Sequence, residues 1–204
     1  MKEVSINKNM KLSEHLASPS EAALSQTNEL DGLRLSPHFT LGELTKTSYY
    51  TTDGNIPSRV AIENLRNICE NWLEDLRYSY NVLYGEGREG VRREGVRREG
   101  DRREGVSRND GEIPIIISSG FRSEEVNRKC GGAKGSNHLT GCAVDIRCYG
   151  PEHMIRMAGI LQDIADGTKR EFDELILEQR GTTYWIHFAV RPKDNRRKIL
   201  FDCR

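Results

Sequence analysis

Apolar residues recur every three to five positions between residues 57 and 84, which is the spacing of one face of an α-helix. The residues of that face are Val60, Leu65, Ile68, Trp72, Leu76 and Tyr80. Pro57 suits the first turn of a helix, so the pattern predicts a long helix that begins there. Upstream of it, Phe39, Leu41 and Leu44 predict a short helix near the start of the ordered part of the chain.

The second half of the chain mixes short β-branched runs with one long amphipathic stretch. These runs predict strands. They are the run bounded by Pro114 and Gly120, residues 142–149, 173–179 and 182–191, and, as an edge strand, residues 196–204. Arg180 and Gly181 are predicted to form the two-residue loop of a hairpin. The amphipathic stretch, residues 153–166, predicts a helix with Ile155, Met157, Ile160, Leu161 and Ile164 on or near one face. Strands and helices mixed in this way predict an α+β sheet domain.

Two segments lack any pattern that could bury side chains. Residues 1–34 are rich in Ser, Asn, Glu and Lys and predict a flexible N-terminal tail. From Glu89 the chain repeats EGVRR, EGVRR, EGDRR and EGVSR, a five-residue period that fits no helix face, strand or solenoid. Residues 86–110 therefore predict a disordered, low-complexity insertion in a domain that spans residues 35–204. The alternative is an arginine tract that binds RNA or a membrane, which the interleaved acidic residues weaken.

Composition narrows the class of protein only slightly. Lys plus Arg and Asp plus Glu number 31 each among the 204 residues, so the charge balance gives no argument for a nucleic-acid partner. No apolar run reaches the roughly 18 residues of a membrane span. The N-terminus lacks the apolar stretch of a secretory signal, so we expect a cytoplasmic protein or one that leaves without such a signal. The five cysteines are scattered without CxxC spacing, which favours buried thiols. We expect a monomer.

Two of the five histidines lie in unusual surroundings. His138 stands in the glycine-rich run GGAKGSNHLTG, and Asp145 follows seven residues later inside an apolar strand. A buried carboxylate is costly unless it meets a cation, and Gly141 lets the chain fold back so that His138 and Asp145 approach one point. His187 lies in the apolar strand YWIHFAV, where an isolated histidine is more often part of the core than a ligand. Two histidines and a carboxylate nevertheless form a ligand set of open catalytic zinc sites.

The segments SSGFRSEEVN, GSNHLTGCAVDI, DELILEQ and YWIHFAV, in this order, resemble the family of zinc D-Ala-D-Ala carboxypeptidases and related murein endopeptidases. The resemblance runs from about Leu35 to Val190, apart from the repeat. Its most specific part is SxHxxGxAxD with Ser136, His138, Gly141, Ala143 and Asp145, completed by the WxH of Trp185 and His187. The resemblance implies one Zn²⁺ per chain, bound by His138, Asp145 and His187. It also implies a small antiparallel sheet flanked by helices, the hedgehog/DD-peptidase fold.

The resemblance further implies roles for residues around the metal. Arg122, the arginine of SGFR, would lie beside the active site and pair with a substrate carboxylate or with the developing oxyanion. Ser136 could bind substrate, orient His138, or be a simple turn residue. Trp185, which shares a strand face with His187, is predicted to contact substrate.

The general acid/base is absent from its usual positions. Several members of the family carry it as Glu three residues before the last histidine, or as His five residues before it. Those positions are occupied here by Tyr184 and Thr182. Either another residue moves the proton, or the protein binds without cleaving.

We predict Glu178 as the catalytic acid/base. With an Arg180–Gly181 loop, Glu178 would pair with Thr183 and Glu174 with His187, so both glutamates would share the face of that histidine. Glu178 is nearer the end of its strand, where sites are usually open. It also matches a glutamate of the family group that the chain most resembles.

These observations predict a zinc metallopeptidase that hydrolyses peptidoglycan stem or cross-link peptides with a metal-activated water. The alternative is a catalytically silent, zinc-containing module that binds peptidoglycan. A phage-type lysis route, as used by endolysins, would release the protein to the cell wall without a signal peptide.

Overall fold

The computed structural model describes residues 31–85 and 112–203. Its helices are α1 (Leu41–Thr45), α2 (Arg59–Ile68), α3 (Glu74–Tyr84), α4 (Glu124–Lys129) and α5 (Pro151–Thr168). A π-helical turn, Cys69–Leu73, joins α2 to α3, and a 3₁₀ turn, Asn137–Thr140, precedes the second strand. The proposed tail falls almost entirely, and the proposed insertion entirely, outside the described residues, so the domain boundaries remain predictions.

The long helix predicted from the apolar periodicity is present as α2, the π turn and α3. It begins at Arg59 rather than at Pro57, because the Ser58 hydroxyl caps it by accepting from the Ala61 N–H at 3.2 Å. The predicted apolar face is at most 2% exposed at Leu65, Ile68, Trp72, Leu76 and Tyr80. Val60 was assigned to that face wrongly, since it is 69% exposed and Ala61, one turn before Leu65, points inward instead.

Five strands form one sheet in the order β1-β2-β4-β3-β5. They are β1 (Ile117–Ser119), β2 (Ala143–Cys148), β3 (Glu174–Arg180), β4 (Thr183–Ala189) and β5 (Lys198–Cys203). Every neighbouring pair is antiparallel except β3 and β5, which run parallel. The α+β fold with a small sheet flanked by helices is confirmed. The sheet is mixed rather than purely antiparallel, because the chain crosses back after β4 before it forms the edge strand.

One face of the sheet is covered by α5 and by the long helix. Its inward side chains are at most 3% exposed, and they are Val144, Ile146, Leu175, Leu177, Ile186 and Phe188. Each contributes roughly 1.5–3 kcal/mol through burial. On α5 the predicted face is buried except at Ile155, which is 60% exposed because Met154 takes the inward position. The opposite face of the sheet carries polar side chains and is open, and the candidate site lies there.

Two other sequence expectations concern spans and thiols. In the part of the chain that the structure describes, no helix combines the length and the apolar character needed to cross a bilayer. All five cysteines are free thiols. Cys69, Cys142 and Cys148 are buried as predicted, whereas Cys130 is partly exposed and Cys203 is exposed.

Candidate metal centre

Asp145 and His187 lie directly opposite each other on the antiparallel strands β2 and β4. His138 joins them from the 3₁₀ turn that precedes β2. That turn ends at Gly141, whose φ of 70° reverses the chain so that His138 folds back over the start of the strand. The predicted approach of His138 to Asp145 is therefore present, and the sheet register adds His187.

The three potential ligand atoms form a nearly equilateral triangle. His138 Nε2 lies 3.1 Å from Asp145 Oδ1 and 3.1 Å from His187 Nδ1, and the remaining side measures 3.0 Å. Zinc bonds of about 2.0–2.2 Å would place the ligands of a tetrahedral site roughly 3.3–3.6 Å apart. A small outward adjustment of these side chains therefore accommodates a zinc ion. Within the described residues, this is the cluster whose donor atoms converge on one point.

The far side of each imidazole is also held. His138 Nδ1 donates to the carbonyl of Gly120 at 2.5 Å, which leaves the lone pair of Nε2 facing the triangle. His187 Nε2 lies 3.6 Å from Glu174 Oε2, so the carboxylate favours a proton on that nitrogen and a lone pair on Nδ1. Both rings thus present the nitrogen that a metal would need.

The electrostatic environment keeps the centre ready for a cation. Burial would raise the pKa of Asp145, but the adjacent histidines and Arg122 outweigh it and hold that pKa below its usual value. Burial lowers the pKa of His138. Burial acts the same way on His187, yet Asp145 and Glu174 overcome it and raise its pKa to about 9. A metal ion would replace the proton that these carboxylates attract.

Arg122 lies beside the candidate centre, where its nearest partner is a candidate ligand. Its guanidinium donates to Asp145 Oδ2, the oxygen that faces away from the histidines, and its Nε donates to the Ser119 hydroxyl at 2.8 Å. The same side chain lines the cleft above the centre. The contact with Asp145 fixes which carboxylate oxygen points at the metal position.

Ser136 and Trp185 also line the cleft. The Ser136 hydroxyl accepts from the His138 N–H at 3.3 Å and caps the 3₁₀ turn, so it supports the local fold around that histidine. Trp185 lies two residues before His187 on β4 and on the same face of the sheet. The Arg180 guanidinium lies over the Trp185 ring, 6.0 Å from its centroid. Trp185 and Arg180 form one wall of the cleft.

The hairpin register predicted for β3 and β4 was wrong. The loop is Gly181–Thr182, because Gly181 adopts a φ of 57° at the first loop position, which suits a tight hairpin turn. Glu178 is therefore opposite Trp185 rather than Thr183, and His187 is opposite Ile176. Moving the loop by one residue shifts the pairing by two, so the side chains keep the predicted faces.

Glu178 consequently lies on the open face of the sheet, as the sequence predicted, and lines the cleft with His187. It is half-buried, and burial followed by the negative charge of Asp145 raises its pKa. A carboxyl group whose pKa is raised toward neutrality is suited to both accept and return a proton.

The competing candidates for the acid/base are less suitable. Glu174 pairs with Arg196 at 2.9 Å and with Lys198 at 3.4 Å. Its interaction with His187, more than these two contacts, lowers its pKa to about 2. Tyr184 is opposite Gln179, on the face that packs against the core. Of the three, Glu178 alone combines a raised pKa with a place on the cleft face.

Sequence reasoning missed three residues next to the centre. Asn137 precedes His138, Asp173 precedes β3, and Arg196 follows β4. They are joined by hydrogen bonds, although they are distant in the sequence. Asp173 carried the only available signal, since it and Glu174 form an acidic pair between the apolar residues Phe172 and Leu175.

The cleft above the centre has a volume of about 890 Å³. A smaller groove of about 350 Å³ lies on the other side of Arg122, which lines both. The candidate centre thus lies at the floor of a space large enough for a short peptide.

This combination of a converging His-Asp-His cluster, an open cleft and an α+β sheet defines a metallopeptidase-like site. Residues 84–176 match the family model described as Peptidase M15. The matched span includes His138 and Asp145 and ends before His187. The match confirms the resemblance found in the sequence: these residues are similar to the zinc-dependent Peptidase M15 family, which includes D-Ala-D-Ala carboxypeptidase-like members. None of the curated proteins compared with the chain matches it.

Proposed function

We propose that this protein is a zinc metallopeptidase that hydrolyses peptidoglycan stem or cross-link peptides, with one Zn²⁺ bound by His138, Asp145 and His187. The observation that carries the proposal is the triangle of ligand atoms with sides of 3.0–3.1 Å at the floor of the cleft. The Peptidase M15 match supports the reaction class.

When bound, zinc would polarise the scissile carbonyl and lower the pKa of a water molecule. Glu178 would accept a proton from the attacking water on its carboxylate and return it to the nitrogen of the leaving amine. Its place on the cleft face, one row from His187, supports this role.

Arg122, Trp185 and Ser136 would bind and orient the substrate. Arg122 faces the cleft with a fixed positive charge that can stabilise the developing oxyanion or pair with a substrate carboxylate. Trp185 offers an aromatic wall against which a peptide can pack. Ser136 is committed through its hydroxyl to the His138 N–H and can still accept a hydrogen bond from the substrate.

The alternative is a module that binds peptidoglycan and zinc without cleaving. The observation that favours it is the occupancy of the family's usual acid/base positions by Tyr184 and Thr182. Tyr184 packs toward the core and Thr182 lies in the hairpin loop, so neither can replace a missing carboxylate.

A peptide-release assay distinguishes the two functions. Purified muropeptides, both uncrosslinked stems and cross-linked dimers, are incubated with the zinc-loaded protein, and the products are identified by mass spectrometry. We expect cleavage by the wild-type protein and a loss of about 10²- to 10⁴-fold in turnover for Glu178→Gln, with unchanged zinc content. Tyr184→Phe serves as the matched control and should retain turnover.

The product masses also show which bond is cut. Loss of a terminal residue from stems would indicate a carboxypeptidase, whereas separation of dimers would indicate an endopeptidase. Zinc binding with no cleavage of either substrate would favour the silent module. Near-full turnover of Glu178→Gln combined with loss in Glu174→Gln would assign the acid/base to Glu174 instead. We further propose that the protein acts as a monomer and reaches the cell wall by a phage-type lysis route.

A further inference from the structure

Two consecutive carboxylates, Asp173 and Glu174, connect the candidate metal centre to the segment that follows β4. Asp173 is fully buried. Arg196 meets it with two parallel hydrogen bonds, Nε to Oδ1 at 2.7 Å and a terminal nitrogen to Oδ2 at 2.7 Å. The same terminal nitrogen lies 2.9 Å from Glu174 Oε1. One arginine thus holds both carboxylates in place.

Asn137 completes this network from the opposite side. Its side-chain amide donates to Asp173 Oδ2 at 3.0 Å and to Glu174 Oε2 at 3.3 Å. Asn137 is the residue directly before His138, and Glu174 Oε2 lies 3.6 Å from His187 Nε2. The four residues Asn137, Asp173, Glu174 and Arg196, which we call the carboxylate clamp, therefore adjoin both candidate histidine ligands.

We infer that Arg196 is a positioning residue for the zinc centre, acting through the carboxylate clamp. The inference rests on the proposed zinc site and adds to it a requirement for the segment after β4. Without Arg196, the buried Asp173 would keep Asn137 and, at 3.6 Å, Arg191. Glu174 would keep only the longer contacts, from Asn137 at 3.3 Å and from Lys198 at 3.4 Å, and would lose its shortest one. Glu174 could then turn away from His187, whose ring would lose the partner that orients it.

The neighbouring residue supplies a matched control. Arg197 has the same side chain and comes from the same segment, but its guanidinium pairs with Asp166 and lies over the Phe172 ring, away from the cleft. Replacing Arg197 removes an equally charged surface contact while the carboxylate clamp remains intact. A comparison of the two variants separates metal positioning from general loosening of the segment.

The experiment compares the wild-type protein, Arg196→Gln, Arg196→Lys and Arg197→Gln. The Kd for zinc is measured by competition with a chromophoric chelator, the visible spectrum of the Co²⁺-substituted protein reports the ligand geometry, and the Tm is measured on metal-free protein. We expect Arg196→Gln to raise the zinc Kd about 10- to 100-fold and to change the Co²⁺ spectrum. Arg196→Lys should give an intermediate Kd, because lysine keeps the charge but not the two parallel bonds.

Arg197→Gln should leave the zinc Kd and the Co²⁺ spectrum at their wild-type values. The metal-free Tm should fall more in Arg196→Gln than in Arg197→Gln, because Asp173 is buried and Asp166 is 67% exposed. A zinc Kd for Arg196→Gln within threefold of wild type would overturn the inference, as would an equal rise in Arg197→Gln. If Arg196→Gln does not fold, the same criteria apply to Arg196→Lys. Absence of stoichiometric zinc in the wild-type protein would instead count against the proposed function.

Discussion

The side-chain amide of Asn81 makes two hydrogen bonds to the backbone of Ile113, accepting from its N–H at 2.6 Å and donating to its carbonyl at 2.9 Å. Beside them, Arg77 pairs with Glu112 at 2.6 Å. The first residues described after the repeat are therefore fastened to the last two turns of α3. The two ends of the proposed insertion are held together by contacts that do not involve the repeat.

Residues 86–110 should therefore be removable at little cost. Replacing them with a short Gly-Ser link should change the Tm by no more than a few degrees, since loop closure costs only about 0.6 kcal/mol per doubling of length. Thermal melts and limited proteolysis of both proteins test this. Adding Asn81→Ala to the deletion variant should lower its Tm, because the backbone of Ile113 would lose two hydrogen bonds. A loss of several degrees on deletion alone, or full protease resistance of the repeat, would show that the repeat is structured.

The proposed ligands predict the metal content of two variants. His138→Ala should lose most of its zinc and all activity, and the His138→Ala, His187→Ala double variant should bind none. The fold should persist, because the core between the sheet and the helices is built without these residues. Zinc by elemental analysis and far-UV circular dichroism test the two statements together. Stoichiometric zinc in the double variant would contradict the ligand assignment.

Much of this fold follows from local pattern. The long helix, α5 and the strands were predicted because their apolar spacing reports one buried face, and the errors at Val60 and Ile155 are displacements of one residue on a helix surface. The faces of Glu178 and His187 were predicted despite the wrong register, since side-chain direction depends only on whether a residue is odd or even along the strand.

The carboxylate clamp was not predictable in the same way. Arg196 reaches Asp173 across 23 positions, through a segment whose path depends on β5 pairing in parallel with β3. No local spacing encodes that pairing. The approach of His138 to His187 is similarly non-local. The residue types suggested a shared ligand set, and the resemblance to a known family indicated that the two histidines belong to it.

Glu178 predicts a specific pH dependence. A general base works deprotonated, and burial raises the pKa of Glu178, so kcat/KM should fall as pH drops through a value above the usual 4.5. This fall of kcat/KM at low pH, the acid limb of the profile, should disappear in Glu178→Gln, whose residual activity would be lower at every pH. Zinc content is measured at each pH, so that loss of metal is distinguished from protonation of the base. An unchanged acid limb in Glu178→Gln would assign the titration to another group.

Asp173 predicts how stability changes in acid. Mainly through its hydrogen bonds to Arg196, the pKa of Asp173 is lowered from 3.8 to about 2. A lowered carboxyl pKa stabilises the folded state above the unfolded value, and that stability is lost as pH falls through about 2. Asp173→Asn should therefore lower the free energy of unfolding by about 2 kcal/mol at pH 6, and the difference from wild type should shrink toward pH 2. Urea unfolding of the metal-free proteins tests this, and a difference independent of pH would contradict it.

Gly141, the glycine of the SxHxxGxAxD segment, can be compared with Gly131 to test why glycine is required at position 141. Both have positive φ, 70° and 75°, so alanine at either position should cost about 1–2 kcal/mol in backbone strain. A Cβ at Gly141 would lie 2.3 Å from the carbonyl oxygen of Ala61 on α2, whereas nothing lies within 4 Å of one at Gly131. In Gly141→Ala the free energy of unfolding should thus fall by about 1–3 kcal/mol more than in Gly131→Ala, because the backbone of α2 cannot move as a flexible side chain could.

Gly141→Ala should also weaken zinc binding, since the shift would displace the turn that holds His138. Gly131→Ala should keep the wild-type zinc Kd. Urea unfolding of metal-free protein and chelator competition measure the two effects. Equal losses of stability in the two variants would mean that conformation alone, and not the close approach of α2, requires glycine at position 141.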